Sequence, residues 1–341
     1  MFVISREVEE NQQECNVSDA SNSISINWLG YIGLKLMKWT GEFYGADWES
    51  HVKALSFFQD KNKLSNDLQE ELAKIINPQI TYPSYYFKNY HAYEEGNLCW
   101  QAVTEVELVY YTIHSFQGFL KPRYFQRDKS EVVLERLYQS RFFKEYHYII
   151  KDELKEEPKD ILDLACGVGI NTLLLKKSFP QAQVSGLDIS PYALALACHR
   201  SKQHNAQINW IHSNAESTNL PDNSFDLINA TFLFHELPHS STIKILAECK
   251  RLLRPNGSLI IFDVDAELYA QKLRSLLPKS KFDEGLKLLS HMVAEPYLAE
   301  YFTFDFEKSM PLLGFTQIRK RHMNSRFGLQ PHYRIFIAKP K

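Results

Sequence analysis

Along the chain the spacing of apolar residues changes once. From Trp28 to about Tyr148 they recur mainly three and four positions apart, as in Leu64, Leu68, Leu72 and Ile75, or Val132, Leu134, Leu137 and Tyr138. That spacing predicts helices with one apolar face. Residues 1–25 are polar and rich in Ser, Asn, Gln and Glu, the composition of a loosely ordered arm. After residue 160 the pattern becomes short apolar runs, at Ile161–Ala165, Gln183–Leu187, Ile208–His212, Phe225–Ala230 and Ser258–Phe262, separated by helix-length stretches. Alternation of this kind predicts βαβ units and a mostly parallel sheet covered on both faces. Two later runs, Thr316–Lys320 and Tyr333–Ala338, have no helical pattern between them and are expected to pair antiparallel at one edge. The expected fold class is therefore α/β: a Rossmann-like sheet of seven strands, with helices on both faces and a helical N-terminal domain.

The mixed-charge run from Lys151 to Asp160, with Pro158 near its end, reads as an exposed connector and places a boundary there. The expected organisation is an arm at 1–25, a helical domain at 26–150 and a nucleotide-binding domain at 151–341. Within the helical part, Pro78 and Pro83 interrupt the period beside Tyr82, Tyr85, Tyr86, Phe87, Tyr90, His91 and Tyr93. This aromatic stretch is expected on an irregular connection, as core or as a cover over a site.

Composition narrows the function. The 341 residues are 44% hydrophobic and 13% aromatic, enough to bury a full core. The formal net charge of -2 gives no field that would attract polyanions, so nucleic acid is not an expected partner. The basic run Arg319–Arg326 is expected to be a solvated face. Cys15, Cys99, Cys166, Cys198 and Cys249 are widely spaced with no CxxC pair, so neither a disulfide framework nor a metal site is expected. The first residues turn acidic and polar too soon for a signal peptide, and no apolar run is long enough to span a membrane. The expected compartment is a reducing, cytoplasmic one.

The chemistry begins at Asp163-Leu164-Ala165-Cys166-Gly167-Val168-Gly169, where a buried strand ends in a glycine turn that opens a helix. Glycines there let the backbone approach a nucleoside at the carboxyl edge of the sheet. A dinucleotide fingerprint requires a third glycine where Thr172 stands, and the carboxylate of Asp163 would repel a pyrophosphate. It suits a ligand with a cationic amino-acid end. Asp188, closing the second strand, is placed to accept both hydroxyls of a ribose, or merely caps the helix opening at Ser190-Pro191. Asn214, after the third strand, is in reach of an adenine amino group or serves as a local cap.

These motifs, with the fifth-strand approach Leu253-Arg254-Pro255-Asn256-Gly257-Ser258-Leu259, resemble the class I S-adenosylmethionine-dependent methyltransferases over about residues 135–341. The resemblance implies S-adenosyl-L-methionine as cofactor, with S-adenosyl-L-homocysteine as product. It implies Asp163, Ala165, Gly167, Gly169, Asp188, Ile189, Asn214, Ala215, Glu216, Asn229 and Ala230 as its binding residues. A weaker similarity, from His235 to Leu246, is to small-molecule O-methyltransferases of the plant type, which implies His235 as a general base. Imidazole suits the task because its ordinary pKa, ~6.5, lies near operating pH. The alternative is that His235-Glu236-Leu237 only starts a helix. Cys166 is expected to pack under the turn, not to act as a nucleophile.

The acceptor is expected to be a small biosynthetic molecule methylated on O, N or C. Tyr86, Tyr90, His91, Tyr138, Arg141, Phe142 and Phe234 are candidates for its pocket, with residues 266–300 as a second cover. The alternatives are a protein or RNA methyltransferase using the helical half for recognition, or a non-catalytic scaffold. The helical domain is also a candidate surface for a homodimer.

Overall fold

The computed structural model describes residues 20–44, 58–60, 63–64, 66–93, 95–116, 130–154, 156–323 and 333–341. The N-terminal region contains α1 (Ala20–Phe43), a small hairpin of β1 (Phe58–Asp60) and β2 (Lys63–Leu64), and α2 (Asn66–Ile75). It continues with α3 (Trp100–Phe116), α4 (Ser130–Gln139) and α5 (Arg141–Glu153). Helix α1 begins within the segment read as a loose arm, and residues 1–19 lie outside those described. Leu64 belongs to β2, so the helical period read from it starts only at Asn66.

The α/β part follows as β3 (Asp160–Leu164), α6 (Ile170–Ser178), β4 (Gln183–Asp188), α7 (Pro191–Gln203), β5 (Asn209–His212), β6 (Phe225–Thr231), α8 (His239–Leu252) and β7 (Leu253–Val264). After it come α9 (Ala266–Leu276), α10 (Phe282–Val293), α11 (Leu298–Tyr301), α12 (Phe306–Leu312), β8 (Phe315–Met323) and β9 (Tyr333–Pro340). The strands form one seven-stranded sheet in the order β5-β4-β3-β6-β7-β9-β8. The first five are parallel and β9 runs antiparallel to both β7 and β8, the edge pairing expected for the last two runs. No described helix is long and apolar enough to cross a membrane.

Strand side chains alternate between two apolar layers, as the pleat dictates. Ile161, Leu227, Ile260, Phe262, Ile335 and Ile337 face one cluster, whereas Leu162, Leu164, Ile228, Leu259, Ile261 and Phe336 face the other. The first cluster also takes Val103 and Leu108 of α3, Leu137 of α4 and Phe142, Phe143, Tyr146 and Ile150 of α5. One continuous core therefore crosses the boundary expected near residue 150. Helix α5 is a covering helix of the sheet, and the chain before it is fastened to the same layer.

Of the basic run read at Arg319–Arg326, Arg326 lies outside the described residues and three cations on β8 are paired locally. Arg319 and Arg321 pair with Glu153, Arg321 also with Asp152, and Lys320 with Glu267 and Glu307.

Candidate active site

At the carboxyl ends of β3, β4 and β6 lies a cavity of about 710 Å³, walled from both halves of the chain. Its size falls within the ~300–1,000 Å³ typical of small-molecule sites.

One end is the glycine turn. Ala165, Gly167 and Gly169 all adopt positive φ, at 54°, 52° and 77°. A side chain at Gly167 would meet nothing within 4 Å, because this backbone opens onto the cavity. At Gly169 a Cβ would lie 2.7 Å from the Trp210 ring, so that glycine serves the packing of α6 on the sheet. Asp188 ties the turn together: its Oδ2 accepts from the Gly167 amide at 2.7 Å and its Oδ1 from the Ser190 amide at 2.8 Å. Burial pushes its carboxyl up to about 6 against those two bonds, with Glu236 adding to the rise.

Asp163 is 1% exposed and accepts from Thr172 Oγ1 at 2.6 Å and Asn229 Nδ2 at 2.7 Å. Burial again pushes its carboxyl up to about 6 against those bonds, and Asp188 raises it further. Behind it a relay of buried groups fixes the β3 and β6 ends. Tyr146 of α5 donates to Asn229 Oδ1, Asn171 Nδ2 to Thr231 Oγ1 at 3.0 Å, and His147 Nε2 lies 3.2 Å from Asn171 Oδ1. The sequence offered no local signal for Tyr146, Asn171 or Thr231, because their partners are distant in the chain.

Ile189, Asn214 and Ala215 also line the cavity. Asn214 accepts from the Glu216 amide at 2.9 Å, so the local cap is present as well. Glu216 turns away, taking hydrogen bonds from Tyr85 at 2.8 Å and Lys244 at 2.9 Å, and Asn229 and Ala230 are buried behind the wall. Asn229 and Ala230 lie off the wall because β6 reaches the cavity through Thr231 and Phe232, whereas Glu216, after β5, is drawn away by Tyr85 and Lys244. Cys166 does reach the wall, but burial and the nearby Asp188 and Asp163 push its thiol well above the usual range, leaving it protonated and inert.

The other end is apolar. Leu34 and Met37 of α1, Val103, Val106, Val109, Tyr110 and Ile113 of α3, and Leu289, Met292 and Val293 of α10 meet Phe143, Phe232 and Tyr333 there. Tyr85, Tyr86, Tyr90, His91 and Tyr93 form a roof, so the aromatic connection covers the site, and residues from 266–300 form a second cover. The roof is fastened by Tyr90 donating to Glu236 O at 2.9 Å, Asn77 N donating to His212 Nδ1 at 2.8 Å, and Ser190 Oγ donating to Asn97 O at 3.2 Å.

Four pocket candidates lie elsewhere. Phe142 is buried against Phe262 and Tyr333, since the helical period turns its neighbour Phe143 to the cavity instead. Phe234 packs on Phe306 in the opposite layer. Tyr138 packs against the edge of the first cluster, and Arg141 pairs with Glu145 on the outer face of α5.

His235 lines the cavity where roof and sheet meet. Its Nδ1 is 2.8 Å from Asp263 Oδ1, and Asp263 Oδ2 accepts from the Phe234 amide at 2.9 Å. Burial alone would pull its pKa down, but Asp263, Glu295 and Glu236 outweigh burial and hold it up at about 9. Beside it His91 stands between two carboxylates, with Nδ1 2.9 Å from Glu295 Oε1 and Nε2 3.3 Å from Glu236 Oε1. Asp263, Glu236 and Glu295 were not anticipated as functional. Asp263 could have been found as the acid closing the fifth strand, whereas Glu295 follows α10 without any motif.

Residues 161–257 match a family model described as a methyltransferase domain. A demethylmenaquinone methyltransferase of Thermus thermophilus is 34% identical over 110 residues, which is 32% of this chain and 49% of that protein. A ubiquinone/menaquinone biosynthesis C-methyltransferase of Desulfotalea psychrophila is 31% identical over 134 residues, 39% of this chain and 52% of that one. The chain thus spans about half the length of the curated relatives it matches. Among solved structures, a Haemonchus contortus phosphoethanolamine N-methyltransferase 2 complex has a TM-score of 0.44 at 18% identity, covering 59% of this chain and 53% of that one.

Proposed function

We infer, from a chain whose residues 161–257 match a family model described as a methyltransferase domain, that it transfers a methyl group from S-adenosylmethionine to a small, largely apolar acceptor. The observation that carries this reading is one cavity that joins the glycine turn, with Asp163 and Asp188, to a largely apolar wall between roof and sheet on which His91, His235, Glu236 and Glu295 also stand. The residues fit the donor: Asp163 and Asp188 are buried carboxylates at the turn, and Gly167 leaves the backbone open beside them. Asp163 would hold the donor's amino group and Asp188 the ribose hydroxyls.

S-adenosylmethionine, when bound, supplies an already activated methyl group, whose carbon–sulfur bond breaks onto sulfur as the acceptor's nucleophile forms the new bond. The chain's own work is therefore positioning and exclusion of water. Tyr110, Phe143, Phe232 and Tyr333 offer ring faces to a planar acceptor, and α1 and α10 offer aliphatic ones. The relatives' names favour a quinol-type ring methylated on carbon.

His235 would exchange the acceptor's proton. Asp263 fixes Nδ1, leaving Nε2 for an acceptor hydroxyl, from which it takes a proton when neutral and to which it donates a hydrogen bond when charged. A cavity whose lining includes no Lys or Arg among the described residues offers nothing to a polyanion and so disfavours the RNA alternative.

The test is calorimetry with S-adenosylmethionine followed by transfer of a labelled methyl to hydroxylated aromatic and quinol acceptors, read by mass. Saturable binding and a mass gain on one acceptor class are expected. No donor binding would end the proposal. With an acceptor in hand, His235→Ala is expected to slow turnover about 10²–10⁴-fold while keeping donor affinity. Near wild-type turnover would remove His235 from the mechanism.

A further inference from the structure

The cavity wall carries four carboxylates, Asp163, Asp188, Glu236 and Glu295, and three imidazoles, His91, His114 and His235, with no Lys or Arg among the described lining residues. Asp163 and Asp188 are matched by the methyl donor in the reading above, and His235 by Asp263. Glu236 and Glu295 remain, on either side of His91, where the roof meets the sheet.

Their geometry is that of a ligand set. One ligand atom from each of His91, Glu236 and Glu295 can be chosen so that all lie within 4.8 Å of one another. Glu295 is only 7% exposed, and its Oε2 is buried with no hydrogen-bond partner. A carboxylate oxygen in that state costs free energy unless a cation or donor meets it. Glu236 is oriented from behind, its Oε2 accepting from Asn97 Nδ2 at 2.9 Å. Supporting hydrogen bonds of this kind commonly aim the ligands of a metal. The backbone at His91 is held by its amide donating to Ala294 O at 2.9 Å, next to Glu295.

We propose that His91, Glu236 and Glu295 bind a divalent transition-metal cation, of the Zn²⁺ or Mn²⁺ type, whose open coordination position faces the cavity and takes an oxygen of the methyl acceptor. One imidazole with two carboxylates suits these borderline cations better than the all-oxygen shells of Ca²⁺ or Mg²⁺. Three protein ligands leave a position for substrate, as catalytic sites do and closed structural sites do not. The cation would polarise an acceptor hydroxyl or carbonyl beside His235. That role rests on the proposed methyl transfer, but binding of the cation does not.

The competing arrangement is a protonated His91 bridging the two glutamates, with no metal. The full chain, stripped with chelator, is titrated with Zn²⁺ and Mn²⁺ by calorimetry and with Co²⁺ by visible absorption, without donor or acceptor. One saturable site is expected, with d–d bands showing oxygen and nitrogen ligation. Affinity is expected to weaken about 10–100-fold or more in Glu295→Gln and in His91→Asn. S-adenosylmethionine affinity should be retained in Glu295→Gln. Absence of a saturable site in the wild-type chain would overturn the proposal even if the variants failed to fold. Unchanged metal affinity in folded variants would overturn it equally. Failure of methyl transfer alone would leave metal binding readable, so the two proposals fail separately.

Discussion

The two ends of the cavity are built on different principles. The donor end is local: Asp163 to Gly169 is one strand–turn–helix junction, and Asp188 closes the next strand in the sheet. The acceptor end is assembled from α1, α3, α10, the connection at 84–93 and the β6 end, which touch only in the folded chain. A local site has few ways to vary, because each position is constrained by backbone conformation. A composite one can change with any of its contributors. The methyltransferase match covers residues 161–257, and most of the wall proposed for the acceptor lies outside it.

Substitutions should separate the two ends, the largest effects coming from the rigid one. Gly169→Ala forces a side chain to φ 77° and places its Cβ 2.7 Å from Trp210. A loss of about 2–4 kcal/mol in unfolding free energy is expected by urea denaturation. Recovery of part of that loss in the Gly169→Ala, Trp210→Leu double variant would confirm the contact as the cause. Full stability in the single variant would mean the turn is not the fixed element described.

Next in size, Asp188→Ala removes the carboxylate that holds the Gly167 and Ser190 amides. Donor affinity is expected to fall roughly 10–100-fold by calorimetry, the equivalent of about 1.5–3 kcal/mol for a charged hydrogen-bonding group. An unchanged affinity would take Asp188 out of the site.

Donor binding should also depend on pH. Asp163 and Asp188 have carboxyls pushed up to about 6 by burial, from an ordinary value near 3.8. Raised carboxyls take up protons as the folded, unliganded chain is brought below about pH 6, and a cationic ligand requires them ionised. Affinity is therefore expected to rise with pH up to about 6 and level above it, changing roughly tenfold per unit for one group below that point. Stability of the unliganded chain should run oppositely. The contribution of these groups is fully present below about 3.8 and is lost as pH rises through about 6. Affinity flat from pH 5 to 7 would contradict the raised carboxyls that burial gives both groups.

The smallest effects should mark the roof. Tyr90→Phe deletes the bond to Glu236 O and is expected to cost about 1 kcal/mol of stability. With an acceptor known, it should raise acceptor KM severalfold and leave donor affinity alone. A change in donor affinity instead would mean that the ends are coupled. Arg141→Ala, on the outer face of α5, is expected to change neither beyond about 0.5 kcal/mol.

The amino-acid order determined the sheet, its antiparallel edge and the donor turn, because these depend on backbone period, glycine φ and residues adjacent in sequence. Asp163, Gly167, Gly169 and Asp188 stand at strand ends that periodicity alone locates. Side-chain direction and distant partners were not legible. Phe142 and Phe143 are indistinguishable in a helical pattern, yet the first packs against Phe262 and the second faces the cavity. Nothing near Glu295 announces that it meets His91 and approaches His235 to within 4.0 Å. Those contacts exist because α10 ends where the roof and the β6 end converge. Only the tertiary structure could decide them, since they depend on how the layers pack and not on any segment's own preference.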